Sequence, residues 1–286
     1  MNGNWLFWLF CPRRVRNRVS IKLGTIGGGV MGEALLSRLV AQRLYSPDEI
    51  LVSDPSVQRR EWLSQQYGLQ VTDNNGLAAS ASDIVLLAVK PQVFAAVVRG
   101  LSEQGREKSS AIVSIMAGVT LSQLAEAFPQ RPIIRAMPNT PATVAAGIAA
   151  LAPGPYVQPH HLEQAKKIFQ AVGEAIEVPE NLMDAVTALS GSGPGYLAVA
   201  VEALIDGGVA VGLPRAIATK LALQTLHGTA QLLQETDLHP AQLKDRVTSP
   251  GGTTIAGIAA LERCGFRSAL IEAVRAAYAR SRELGS

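Results

Sequence analysis

The chain is predicted to be an α/β protein: a doubly wound sheet followed by an all-helical C-terminal half. Three observations predict this. From Ser20 to Pro179 short apolar runs alternate with helical stretches, the pattern of largely parallel strands joined by crossover helices. After Pro179 the strand signals stop. At the start, a strand-like run leads into Gly27-Gly28-Gly29-Val30-Met31-Gly32 and then into a helical pattern.

Ile21, Leu23 and Ile26 belong to the first strand, and Leu35, Leu36, Leu39 and Val40 place a helix over 33–44 by their spacing. The six-residue segment between them has G-x-G-x-x-G spacing. In such a unit the first glycine permits a tight turn, the second lets the backbone approach a pyrophosphate, and the third lets helix and strand pack closely. Strand, glycine turn and helix make the opening of a Rossmann-type, dinucleotide-binding half. A second strand over 50–53 ends at Asp54, about 20 residues beyond the fingerprint, where a ribose-binding carboxylate is expected. Asp54 also reads as the start of a turn before Pro55.

Further strands are predicted over 83–89, 111–115, 132–137, 148–152 and 175–178, with helices over 121–128 and 159–172. The run 83–89 is nearly continuous in apolar residues, as in a strand covered on both faces. Residues 194–211 are apolar on almost every side, with only Glu202 and Asp206 charged. Such a helix is buried all round, either against a second subunit or in the core of a monomer. Residues 268–284 form an ordinary amphipathic helix. Ser190-Gly191-Ser192-Gly193-Pro194 reads as a helix start with capping serines.

The division that follows is an N-terminal extension over 1–19, expected to be disordered or to reflect a start codon placed too early, a dinucleotide-binding domain over 20–179, and a helical substrate-binding and dimerisation domain over 180–286.

One stretch interrupts the helical half. In Ser249-Pro250-Gly251-Gly252-Thr253-Thr254 the paired glycines remove the bulk that keeps a ligand from main-chain N–H groups. The threonines add hydroxyls, and a helix predicted over 255–262 aims its positive end at the same spot. A carboxylate fits there, and so does a plain turn between helices.

Composition narrows the class. The 286 residues are 48% hydrophobic and 17% charged, which excludes global disorder. Cys11 and Cys264 stand far apart with no metal-ligand spacing, so neither a disulfide framework nor a metal site is expected. The net charge of +3 comes from the start of the chain, where Arg13, Arg14, Arg16, Arg18 and Lys22 meet no acid. The remainder has 21 basic against 23 acidic residues, which gives no argument for nucleic acid. The apolar run 5–10 is far too short to span a bilayer and precedes its charges, the reverse of a signal peptide. A cytoplasmic location is expected, with peripheral membrane contact the alternative.

Taken together, the segments make the chain strongly resemble the pyrroline-5-carboxylate reductase family from about Lys22 to the C-terminus. The resemblance rests on the glycine segment, Ala88-Val89-Lys90-Pro91, and Ala136-Met137-Pro138-Asn139-Thr140-Pro141. It continues through the 190–194 segment, His239-Pro240, Leu243-Lys244-Asp245 and Ser249 to Thr254. It implies an enzyme that reduces 1-pyrroline-5-carboxylate to L-proline with hydride from NADPH or NADH. It also implies a homodimer or larger homo-oligomer joined through the C-terminal helices.

On this resemblance Gly27, Gly28, Gly29, Val30, Met31 and Gly32 cradle the pyrophosphate, and Asn75 contacts the adenosine ribose. Ala88, Val89, Lys90, Pro91, Ala117 and Gly118 line the cofactor path, and Asn139 lies near the nicotinamide. Ser249, Gly251, Gly252, Thr253 and Thr254 hold the substrate, with the Thr254 hydroxyl, the one catalytic side chain, at the ring nitrogen. A protonated imine is already electrophilic, so His160, His161, His227 and His239 need no catalytic role. Asp54 favours NADH, whereas Ser53, Ser56, Arg59 and Arg60 would partly screen a 2′-phosphate, so both nucleotides are expected to work. The nearest rivals are a β-hydroxyacid dehydrogenase, an imine reductase of different substrate range and, from another class, a non-catalytic dinucleotide-binding redox sensor. The first needs a proton acceptor, usually a lysine on the interdomain helix, and 194–211 has no lysine.

Overall fold

The computed structural model describes residues 20–101 and 110–285; the predicted extension over 1–19 lies outside them. One eight-stranded sheet organises the first part of the chain. Its strands are β1 (Leu23–Ile26), β2 (Ile50–Ser53), β3 (Gln70–Thr72), β4 (Ile84–Leu87), β5 (Ala111–Ser114), β6 (Ile133–Met137), β7 (Gly147–Pro153) and β8 (Gly173–Glu177). Their order is β3-β2-β1-β4-β5-β6-β7-β8. All neighbours pair in parallel except β6 and β7, where Ile134 faces Pro153 and Met137 faces Ala150. The reversal has a simple cause. The link 138–146 holds only a 3-10 turn, Thr140–Val144, and is shorter than the dozen or more residues a parallel crossover needs.

Side-chain alternation splits the strands between two cores. Leu23, Ile84, Leu86 and Val113 pack with Leu35, Leu36, Leu39 and Leu63 on one face. Ile26, Val85, Leu87 and Ile112 pack with Leu124 and Phe128 on the other. The helices supplying these residues are α1 (Val30–Ala41), α2 (Val57–Tyr67) and α5 (Leu121–Ala127). Between α2 and α5 lie α3 (Asn75–Ala78) and α4 (Phe94–Arg99), and α6 (Pro159–Gln170) precedes β8. Each fully buried Leu contributes about 2 kcal/mol.

One hydroxyl on β1 is unmatched. Thr25 Oγ1 is fully buried with no hydrogen-bond partner among the described residues. Because an unmet buried hydroxyl costs about 1–3 kcal/mol, Thr25→Val should hold or raise stability in a urea titration. A loss above about 1 kcal/mol would mean that Oγ1 does find a partner.

From Glu180 onward the described residues are helical with short turns. They comprise α7 (Met183–Val186), a π-helical turn (Thr187–Gly191), α8 (Gly193–Ala210), α9 (Arg215–Thr236), α10 (Pro240–Arg246), α11 (Thr253–Arg263) and α12 (Phe266–Gly285). The expected serine cap at 190–194 is not what forms there. Ser190 Oγ donates back to the Val186 carbonyl and no side chain caps α8, because the helix runs continuously through the π turn.

Glu180 ties the halves together: one carboxylate oxygen accepts from the Leu121 amide at 2.6 Å and from Arg135 Nη1 at 3.4 Å. Ser281 on α12 donates to Asp184 on α7. Few residues in this part are covered. Among the described residues from 180 on, only Met183, Ala188, Ala218 and Ser281 are buried. On α8, predicted to be buried all round, Leu197, Val199 and Leu204 are at least half exposed in the single chain. The run Glu180–Ala210 is also long and apolar enough, by length and composition alone, to cross a membrane.

Candidate active site

Because β1 to β6 are all parallel, their carboxyl ends share one edge of the sheet. Each carries a predicted site segment: Gly27 after β1, Asp54 after β2, Asn75 beyond β3, Ala88 after β4, Ala117 and Gly118 beyond β5, and Asn139 beyond β6. The strand order reverses direction between β1 and β4, the crevice where open α/β sheets take ligands. The structure thus gathers the sheet-half residues that the sequence singled out.

Three glycines have three separate physical reasons. Gly27 adopts φ +98°, and a Cβ there would lie 2.5 Å from the Ala88 carbonyl oxygen. Gly29 has open space where its Cβ would be, and a Cβ on Gly32 would lie 2.8 Å from the Gly27 oxygen. Gly27 and Gly32 meet the turn and packing requirements of the spacing, and Gly29 leaves its side of the turn open. α1 starts at Val30, three residues before the predicted start. Gly29 is therefore its N-cap, with no side-chain cap, and the first-turn amides of Val30, Met31 and Gly32 are left for a ligand. An open cradle of uncapped amides fits a pyrophosphate.

Around this cradle Asp54 Oδ2 accepts from the Gly28 amide at 2.9 Å and Oδ1 from the Ser56 amide at 2.9 Å. Asp54 thus faces the glycine turn and shapes the bend before α2. Asn75 Oδ1 accepts from Ser53 Oγ at 2.6 Å. Pro91, Ala117 and Gly118 line a cleft of about 880 Å³ together with Phe94, Val98 and Leu284. Lys90 is exposed at the start of a 3-10 turn, Pro91–Val93. Asn139 spans the halves: its Nδ2 donates to the Ser190 carbonyl at 3.2 Å while its Oδ1 accepts from the Ile148 amide at 3.0 Å.

Sequence reasoning missed Glu33. It sits in the first turn of α1 and accepts from Arg59 Nη2, Trp62 Nε1 and Tyr67 Oη. Arg59 Nε also donates to the Gly28 carbonyl. Nothing in the local pattern marks Glu33, since its donors all lie on another helix. Partial burial pushes the Glu33 carboxyl up, but the three donated hydrogen bonds outweigh it and leave the group below the usual carboxylate range. A lowered folded value stabilises the fold above the unfolded pKa of about 4.3, and that contribution is lost as pH falls through the folded value. The melting-temperature advantage of wild type over Glu33→Gln should therefore shrink as pH drops below about 4. A constant difference from pH 7 to pH 3 would remove the charge from this account.

The predicted substrate segment lies elsewhere in the single chain. α11 starts at Thr253, two residues before the predicted start, with Gly252 as an N-cap that offers no side chain. Gly251 has φ +69° and open space at its Cβ position, whereas a Cβ on Gly252 would lie 2.4 Å from Ser249 Oγ. Thr253 is exposed and Thr254 half-buried. Among the described residues all hydrogen bonds around this bend are local, such as Gly252 N–H to the Ser249 carbonyl and Thr248 Oγ1 to the Lys244 carbonyl. This is a second uncapped, glycine-lined helix start. Of the histidines, His239 caps α10 through Nδ1 and His161 Nδ1 accepts from the Gln158 amide. Among the described residues no cluster could hold a metal ion.

A mostly parallel sheet with a glycine cradle at its switch point, continued into an apolar helical half, is joined by two family matches that make the chain an NAD(P)-dependent oxidoreductase with a helical dimerisation domain. Residues 180–284 match the family described as "Pyrroline-5-carboxylate reductase dimerisation", and residues 22–118 that described as "NADP oxidoreductase coenzyme F420-dependent". The pyrroline-5-carboxylate reductase of Synechocystis is 59% identical over 267 residues, covering 93% of this chain and 99% of that one. That of Arabidopsis thaliana is 42% identical over 265 residues, covering 93% and 96%. Among solved structures, a pyrroline-5-carboxylate reductase from Coxiella burnetii superposes with a TM-score of 0.86 at 35% identity, covering 94% of this chain and 99% of that one. The Plasmodium falciparum pyrroline carboxylate reductase, solved with NADP bound, does so at 0.84 and 32%, with the same coverage. The chain belongs to the pyrroline-5-carboxylate reductase family.

Proposed function

We propose that this chain reduces 1-pyrroline-5-carboxylate to L-proline with hydride from NADPH or NADH, the last step of proline biosynthesis, in the cytoplasm. The observation that carries the reading is the pair of uncapped, glycine-lined helix starts, at α1 and at α11. Each suits an anion, one the cofactor pyrophosphate and the other the substrate carboxylate. The chain divides near residue 180 into a dinucleotide-binding part over 20–179 and a substrate-binding, dimerising part over 180–286.

In this reading Gly27 to Gly32 cradle the pyrophosphate, Asp54 and Asn75 face the adenosine ribose, and Ala88 to Pro91 with Ala117 and Gly118 border the path to the nicotinamide. Asn139 lies at its reactive end, where its amide fixes the β6 loop against the π turn. The amides at Gly252 to Thr254, beside Ser249 and Gly251, hold the carboxylate, and Thr254 Oγ1 accepts the iminium N–H. The bound reduced nicotinamide supplies the hydride. The substrate arrives protonated from solvent, so hydride addition at its carbon leaves a neutral amine and no side chain has to transfer a proton. What the protein contributes is placement of the imine carbon about 3–3.5 Å from the donor carbon.

The test follows NAD(P)H absorbance with pyrroline-5-carboxylate and, separately, with 3-hydroxyacids. Oxidation of NADPH and NADH by the imine alone is expected. Turnover of only the hydroxyacids, or of neither, would sink the reading.

A further inference from the structure

Resting on the NAD(P)H reading, we infer that Glu33 sets nucleotide choice by holding the Arg59 guanidinium against the glycine turn, so that the site takes an unphosphorylated adenosine ribose in preference to a 2′-phosphorylated one. The sequence offers two arginines for a 2′-phosphate, at the first turn of α2, close to the acid that ends β2. An arginine there is what a 2′-phosphate requires. The structure has committed both elsewhere. Arg59 donates through Nε to the Gly28 carbonyl and through Nη2 to Glu33 Oε2. Arg60 Nη1 donates to the Asp54 and Pro55 carbonyls, and its Nη2 lies 3.9 Å from the Asp73 carboxylate.

Gly28 is thus held through both its main-chain polar groups, its N–H by Asp54 and its C=O by Arg59. A phosphate arriving at this residue meets the Asp54 carboxylate on one side and, on the other, a guanidinium whose charge Glu33 already balances. The Glu33–Arg59 pair is about three-quarters covered, so it is screened less than a fully exposed pair. Glu33 is itself fixed, because its Oε1 accepts from Trp62 Nε1 at 2.9 Å and from Tyr67 Oη at 2.8 Å, leaving Oε2 to Arg59.

That division of labour makes one substitution selective. In Glu33→Gln the amide oxygen can keep both aromatic donors, while its NH2 group faces Arg59 donor to donor and releases it. Calorimetric binding of adenosine 5′-monophosphate and adenosine 2′,5′-bisphosphate to the full-length protein reads the result without turnover. Wild type should favour the monophosphate. Glu33→Gln should raise the bisphosphate-to-monophosphate affinity ratio about tenfold, the worth of one charge-assisted hydrogen bond. Arg59→Met, which needs no release of a neighbour, should leave the wild-type ratio unchanged.

A lower ratio in Glu33→Gln, or a tenfold drop in Arg59→Met, would show instead that Glu33 presents Arg59 to the phosphate, and would overturn the inference. If wild type binds neither nucleotide, the cofactor reading itself fails. Binding of both with an unmoved ratio sinks only the role given to Glu33.

Discussion

Gly27→Ala is expected to cost about 2–4 kcal/mol of folding stability and to reduce nucleotide binding below detection. At φ +98° an alanine is strained before any contact is considered. Its Cβ would also lie 2.5 Å from the Ala88 carbonyl oxygen and 2.9 Å from Val89 Cγ1. The turn cannot step aside, because the Gly27 amide donates to the Ser53 carbonyl and the Ala88 amide to the Ile26 carbonyl. The loop must therefore move as a unit, and the α1 amides move with it. Gly29→Ala separates folding from binding. Its Cβ would enter open space, so denaturant midpoints should match wild type while nucleotide affinity falls about tenfold or more, one lost close approach. Unchanged nucleotide affinity in Gly29→Ala would mean that the open space at Gly29 is not the ligand side.

Thr254→Val carries the second largest effect, on rate and not on stability. Thr254 Oγ1 makes no hydrogen bond among the described residues, and the side chain sits in the first turn of α11. Valine keeps the shape and removes the hydroxyl, with it the acceptor. Leaving the iminium N–H unmatched should raise the barrier by about 1–3 kcal/mol, a fall in kcat/KM of roughly 5- to 150-fold. The melting temperature should not change. Wild-type kcat/KM in this variant would take Thr254 out of the chemistry.

The sequence made the strongest signals legible and the weak ones not. β2 is predicted residue for residue because Ile50, Leu51 and Val52 are unbroken apolar positions between turns. β3 escapes notice: Gln70, Val71 and Thr72 form a three-residue edge strand with no apolar run. α2 escapes for a related reason, since Leu63 is its only buried residue and the rest of Val57–Tyr67 is too polar to show a stripe. The antiparallel placement of β7 is fixed by the length of its connection, which periodicity does not report. In the site, the glycines and Asp54 declare themselves by spacing along one strand-turn-helix unit. Glu33 acts through donors 26 to 34 positions away, and only tertiary structure brings those together. The two helix starts, α1 and α11, each begin earlier than predicted because a glycine N-cap gives no side-chain signal of where a helix opens.

The bare flanks of α8 carry a consequence for how the molecule persists in the cell. A rod whose Leu197, Val199 and Leu204 stay at least half exposed in the single chain gains further cover when two copies meet. The second half then owes its integrity to mass action: dilution loosens it, and synthesis above a threshold abundance secures it. How much working enzyme exists would accordingly rise more steeply than the amount of polypeptide made.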